Sequence, residues 1–146
     1  MRAVVTRVTR AEVRVDGAVI GRIGKGLLVL VGVGPSDDVA SANWLADRVI
    51  GLRIFPNDGG RFDKSVRDVG GDVLVVPQFT LFADTTQGRR PSFVGAAAPA
   101  VAEPLVEAFV LAVRDLGVRV ETGRFGAHME VDSVNDGPVT LWLEGR

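Results

Sequence analysis

The run Leu27-Leu28-Val29-Leu30-Val31-Gly32-Val33, bounded by the glycines Gly26 and Gly34, carries no polar side chain. Successive side chains of a strand point to opposite faces, so a short run that is apolar at every position reads as a strand buried on both sides. Val73-Leu74-Val75-Val76 makes the same demand. Both runs therefore need cover above and below, and the rest of the chain has to supply it.

Two segments have the spacing of amphipathic helices. After Pro35-Ser36, with Asp37 and Asp38 placed to suit a helix dipole, Val39, Ala42, Leu45, Ala46 and Val49 recur at helical spacing and predict a helix ending near Gly51. Val101, Leu105, Ala108, Phe109, Ala112, Val113 and Leu116 line one face of a second helix, with Gly117 as its stop. The remaining periodic segments read as strands. Ala3 to Val15 turns at Asp16-Gly17 into Ala18-Val19-Ile20, a two-residue hairpin signal. Leu52 to Phe55, Val118 to Val120, Met129 to Val134 and Val139 to Leu143 complete the set. The expected architecture is an α+β fold: one domain over residues 1–146, a mostly antiparallel sheet or half-closed β-barrel covered by two amphipathic helices. A length of 146 residues with 47% hydrophobic and 24% charged side chains suits one full core.

Composition also narrows the chemistry. The chain has no cysteine, which excludes thiolate nucleophiles, disulfides and sulfur-held metal clusters. A net charge of −1 argues against a broad basic surface for nucleic acid. The start MRAVVTRV lacks the apolar stretch of a secretory leader, and no run approaches the roughly 18 apolar residues of a membrane helix, so a cytoplasmic location is expected. The single histidine, His128, lies in Ala127-His128-Met129-Glu130-Val131-Asp132. Alternation there puts His128, Glu130 and Asp132 on one wet face and turns Met129 and Val131 inward, an ordinary antiparallel pattern rather than a metal site or a triad. The glycines of Gly24-Lys25-Gly26 and Gly32-Val33-Gly34 fit no phosphate-loop or dinucleotide signature. Any catalysis is thus expected to run without metal, redox cofactor or a conventional side-chain base, on backbone groups and the substrate itself. Two long polar connections, Pro56 to Asp72 and Ala83 to Ala97, are candidate functional loops, and Phe62, Val66 and Val69 in the first share the face of a helical turn.

Backbone catalysis suits the hydrolysis of an activated ester, where oriented N–H groups stabilise an oxyanion. Four blocks specify the reading further: Val76-Pro77-Gln78-Phe79-Thr80-Leu81-Phe82-Ala83-Asp84-Thr85, Gly88-Arg89-Arg90-Pro91-Ser92-Phe93, Thr122-Gly123-Arg124-Phe125-Gly126-Ala127 and Asn135-Asp136-Gly137-Pro138-Val139-Thr140. Together and in this order, from the Met1-Arg2-Ala3-Val4 start to the last strand, they resemble the D-aminoacyl-tRNA deacylase family. The resemblance implies a homodimeric hydrolase that cleaves the ester of D-aminoacyl-tRNA, and of glycine mischarged on tRNA-Ala. Read by themselves, Asn135 to Pro138 are a plain turn between two strands. The resemblance makes Gly137-Pro138 a cis pair that enters the other subunit's site, where its carbonyls collide with an L side chain and admit a D residue or glycine.

The same resemblance assigns Gln78, Phe79 and Thr80 to catalysis and Pro77, Met129, Gly137 and Pro138 to substrate binding, with no metal and no cofactor. Thr80 has no histidine or lysine visibly placed to activate it, so attack goes to water assisted by the ribose 2′-hydroxyl, with the Phe79 N–H on the oxyanion. Pro77 departs from the family pattern Ser-Gln-Phe-Thr and removes a hydroxyl and an N–H; a sister group of editing deacylases also has proline there but lacks the phenylalanine, so Phe79 keeps the chain on the D-specific side. Arg89 and Arg90, with Arg61, Lys64 and Arg67 on the other loop, are either contacts for phosphates of the tRNA acceptor end or simply solvated loop charge. A dimer contact is expected along Val139 to Leu143, with Trp142 in it or in the core. The alternative from another class is a non-catalytic dimeric domain for small metabolites or RNA ends, which Pro77 alone favours.

Overall fold

A computed structural model describes residues 1–145. In chain order it contains β1 (Arg2–Val15), β2 (Ala18–Ile23), β3 (Gly26–Gly32), α1 (Val39–Gly51), β4 (Phe55–Pro56), β5 (Phe62–Lys64), β6 (Asp72–Pro77), a 3-10 turn (Phe79–Phe82), α2 (Pro99–Asp115), β7 (Val120–Thr122) and β8 (Glu130–Glu144). The main sheet runs β2-β1-β3-β6-β7, and β8 pairs with the free side of β1. Pairings of β1 with β2, β3 and β8 are antiparallel, whereas β3–β6 and β6–β7 are parallel. The sheet curls until β2 nears β7. Gly21 allows this approach, because a Cβ there would stand 2.8 Å from the Thr122 carbonyl oxygen. The result is a nearly closed, barrel-like mixed sheet with two helices, as the sequence led us to expect.

The two wholly apolar runs are the centre of that sheet. Leu27, Val29 and Val31 of β3 and Val73 and Val75 of β6 face the helices, packing with Leu45, Val49, Phe109 and Val113. Leu28, Leu74 and Val76 face the barrel interior with Val8, Ala11, Val13 and Ile23. The helices begin differently. Asp38 caps α1: its carboxylate accepts from the Ser41 N–H at 3.0 Å while the Ser41 hydroxyl accepts from the Asp38 N–H at 3.1 Å. Those bonds hold the Asp38 carboxyl below its ordinary value, the Ser41 backbone N–H being the main cause. Asp37 serves a different purpose from the dipole role expected of it, receiving the Met1 ammonium and the Gly34 N–H at 2.7 Å each. α2 opens on Pro99, where a missing N–H costs nothing.

Several boundaries differ from expectation. The strand expected over Leu52–Phe55 is reduced to Phe55–Pro56, with Leu52 capping α1 and Arg53 bonded to Asp63. No helical turn unites Phe62, Val66 and Val69: Phe62 lies in β5, paired to β4, and Ser65 and Asp68 close a separate turn that buries Val66. Val131 is 40% exposed, not interior, because β8 runs along the open edge of the sheet. The largest correction concerns Asn135–Pro138. A turn would reverse the chain, yet β8 continues antiparallel to β1 on both sides, from Arg14 opposite Glu130 to Arg2 opposite Glu144. Asn135 to Thr140 is a bulge in one long strand. Among the described residues, no helix is long and apolar enough to cross a membrane.

Candidate active site

A cavity of about 660 Å³ opens where the parallel strands β3 and β6 end at their carboxyl edge. In sheets with parallel strands this edge collects the loops that carry function. Val31, Gly32, Val76 and Pro77 form its base, Phe79 and Phe93 one side, the start of α2 from Ala98 to Val106 another, and Phe125 to Met129 with Val131 the rest. Phe79 and Phe93 meet edge to face with ring centroids 5.0 Å apart, and Phe79 is 59% exposed. Among the described residues no Asp, Glu, Lys or Arg lines the cavity, and His128 is the one titratable residue that does.

The backbone turns sharply at the mouth. Gln78 N–H donates to the Val31 carbonyl at 2.7 Å, the last bond of the β3–β6 ladder, and the Gln78 carbonyl then accepts from Leu81 N–H as the 3-10 turn begins. The first N–H groups of such a turn have no acceptor within it. For Phe79 and Thr80 no protein acceptor is found among the described residues, so two adjacent donors are free at the cavity rim. Unpartnered N–H groups of this kind are what an oxyanion hole is built from. The Thr80 hydroxyl accepts from the Gln78 side-chain amide, and among the described residues no other hydrogen bond of that hydroxyl is found. Pro77 fits because the β6–β7 ladder has ended: Gly123 N–H bonds the Val75 carbonyl at 2.9 Å, and the next donor on that edge would be the missing N–H of residue 77.

Of the residues singled out in the sequence, Pro77, Gln78, Phe79 and Met129 line the cavity, with Thr80 bonded to Gln78 next to it. Gly137 and Pro138 do not line it. They are exposed on the β8 bulge, joined by a cis bond, with Gly137 at φ +134°. Three contacts fix the bulge. Asn135 closes its neck by donating to the Thr140 hydroxyl at 2.7 Å and accepting from Val139 N–H at 2.8 Å. Arg7 backs it, donating to the Asp136 carbonyl at 3.0 Å and to the buried Ile54 carbonyl at 2.7 Å. Arg89 and Arg90 lie exposed on the loop after the 3-10 turn, whose base is closed by mutual backbone bonds of Asp84 and Ser92 at 2.8 and 2.9 Å. The hydroxyl and N–H of Thr86 hold the Asp84 carboxyl below its ordinary value. Arg67 is occupied by the Leu116 carbonyl at 2.9 Å.

Sequence reasoning passed over Arg7, Phe93 and the cavity position of His128. Arg7 had a signal: it continues the period-two series of Ala3 and Val5, so an arginine stands on the core face of a strand.

Comparison with known proteins places this geometry. The family model described as D-Tyr-tRNA(Tyr) deacylase matches residues 4–144. A protein of Thermomicrobium roseum named D-aminoacyl-tRNA deacylase is 56% identical over 144 residues, 99% of this chain and 94% of its own length. One of the same name from Deinococcus radiodurans is 56% identical over 99% of each chain. Among solved structures, the c-Myc DNA Unwinding Element Binding Protein superposes with a TM-score of 0.92 at 38% identity, covering 99% of this chain and 98% of its own. A probable eukaryotic D-amino acid tRNA deacylase shares the fold, with a TM-score of 0.86 at 18% identity over 97% of both chains. The chain belongs to the D-Tyr-tRNA(Tyr) deacylase family.

Proposed function

We propose that this protein hydrolyses the ester linking a D-amino acid, or glycine mischarged on tRNA-Ala, to the terminal ribose of tRNA, and spares L-aminoacyl esters. The observation that carries the reading is the pair of unpartnered N–H groups of Phe79 and Thr80 beside a cavity that, among the described residues, no carboxylate lines. Water attacks the ester carbon, assisted by the substrate's 2′-hydroxyl. The new oxyanion accepts from Phe79 N–H, and collapse breaks the bond to the 3′-oxygen, which leaves with the proton. Gln78 holds the Thr80 hydroxyl and with it the start of the turn. Phe79 offers an aromatic face to the substrate, and Met129 and Pro77 close the base of the site.

Selectivity is assigned to Gly137-Pro138 of a second copy of the chain. In a single chain the pair is exposed and outside the cavity, so it acts on a site only by entering another protomer's. Arg7 and Asn135 hold the bulge on either side of the pair, through the Asp136 carbonyl and the Val139 N–H, and a backbone so held excludes a side chain of the wrong hand better than a mobile side chain does. Arg89 and Arg90 supply phosphate contacts, few enough to give a shallow salt dependence of about 0.7 per neutralised phosphate on a single strand. The test is side-by-side deacylation of D-tyrosyl-, L-tyrosyl- and glycyl-tRNA in the presence of chelator. Loss of the D and glycyl esters with survival of the L ester is the expected result. Survival of all three at the spontaneous rate would leave the non-catalytic binding domain standing.

A further inference from the structure

The substrate cavity has a neighbour. A second hollow of about 470 Å³ lies between α2 and the segment Thr122–Phe125, and it shares Pro77, Val106 and Phe125 with the first. Val75, Val110 and Leu111 extend its apolar wall, and Glu103, Glu107, Arg114 and Arg124 stand around it. Among the described residues none of these four side chains forms an ion pair, although nearby Arg119 pairs with both Asp72 and Glu121. Glu103 and Glu107 are one turn apart on α2, a like-charge spacing that works against a helix. Among the described residues the first cavity is lined by no carboxylate and no guanidinium, whereas the second holds two of each beside an aromatic ring.

This set fits a nucleotide. A flat base takes an aromatic face, exocyclic amino protons donate to a carboxylate, and a phosphate takes a guanidinium. Consecutive bases of one strand occupy adjacent sites, and Phe125 is common to both hollows. We propose that the second cavity is the subsite for the nucleotide before the terminal adenosine, which in every tRNA is a cytidine. Its N4 amino group donates to the Glu103–Glu107 pair, its base lies against Phe125, and its phosphate meets Arg124. The inference rests on reading the first cavity as the aminoacyl site.

The experiment compares three D-tyrosyl esters: of adenosine, of the dinucleotide cytidylyl-adenosine and of uridylyl-adenosine. The adenosine ester does not reach the second cavity and reports on the first alone. The expected wild-type kcat/KM is about tenfold higher on the cytidylyl ester than on the uridylyl ester, the range of one good base contact, and both dinucleotide esters exceed the adenosine ester through the phosphate contact. Glu103→Ala with Glu107→Ala removes the preference for cytidine over uridine, and Arg124→Ala removes the advantage of the dinucleotide. A loss of equal size on the adenosine ester would place these residues in the first site and overturn the subsite. So would indifference of all three esters to the variants. Calorimetric binding of unacylated cytidylyl-adenosine separates the two readings. Wild-type hydrolysis of no ester refutes the hydrolase, while dinucleotide binding unchanged by the variants refutes the subsite.

Discussion

Arg7 is, among the described residues, the one guanidinium the fold withdraws from water, with the whole residue 8% exposed. A buried charge is tolerated when its donors are used, and here they are spent on two backbone carbonyls, those of Ile54 and Asp136. Arg7→Met keeps the bulk and removes the donors. It leaves the Ile54 carbonyl buried without its partner and should cost about 2 kcal/mol in urea unfolding. Arg7→Lys should recover little of that loss, because an ammonium does not present the fixed fork that reaches two carbonyls in different directions. Gly137 is the second such residue. A Cβ added there would lie 2.7 Å from the Val139 side chain and 3.1 Å from the Arg7 guanidinium, at a φ of +134° that L residues rarely adopt. Gly137→Ala should therefore lower stability by about 1–3 kcal/mol in thermal melts, the usual cost of such backbone strain. It should also move the bulge and weaken rejection of L-tyrosyl-tRNA more than it slows D-tyrosyl turnover.

The elements follow from sequence to the extent that their signals are local. β3 and β6 were legible because Leu27–Val31 and Val73–Val76 have no polar position, and both are buried on both faces. α1 and α2 were legible from spacing, and Asp16-Gly17 from its turn chemistry, with both residues at positive φ. What escaped depends on partners distant in the chain. Nothing local to Asn135–Pro138 says that β1 runs unbroken beside it and turns an apparent reversal into a bulge. The free N–H groups of Phe79 and Thr80 likewise depend on Val31 taking the last ladder bond from Gln78. The block containing them was recognisable, while the reason these donors are left unpartnered was not. The cap of α1 gives a pH test at this scale. Because folding depresses the Asp38 carboxyl, its contribution is present above the unfolded carboxylate value and is lost as pH falls through the folded one. Asp38→Ala should therefore lower Tm by a constant margin from neutral pH to about pH 5, and the margin should close below about pH 4.

At the scale of the molecule, the feature that asks for explanation is an open face beside a well-covered core. β8 pairs along nearly the whole of β1, placing Val4 opposite Trp142 and Thr6 opposite Thr140. Trp142 is 51% exposed, and Val131 and Val134 are 40% exposed on the same strand. The Gly137-Pro138 bulge projects between these residues. A C2 pairing across this face would cover them and carry each bulge to the other copy, since a two-fold interface uses one patch on both partners. Mixing two variants tests this directly. One is disabled in the pocket, by Phe79→Pro, which removes the N–H assigned to the oxyanion, and keeps its bulge; the other keeps its pocket and carries Pro138→Ala, which is expected to admit L-tyrosyl-tRNA. After unfolding and refolding together in equal amounts, random pairing puts about half of the intact pockets opposite an intact bulge. Hydrolysis of L-tyrosyl-tRNA per intact pocket should then fall to about half that of the Pro138→Ala protein alone, with D-tyrosyl turnover per intact pocket maintained. If pocket and bulge served the same chain, mixing would leave the L activity per intact pocket unchanged, and the exposed strand would need another partner.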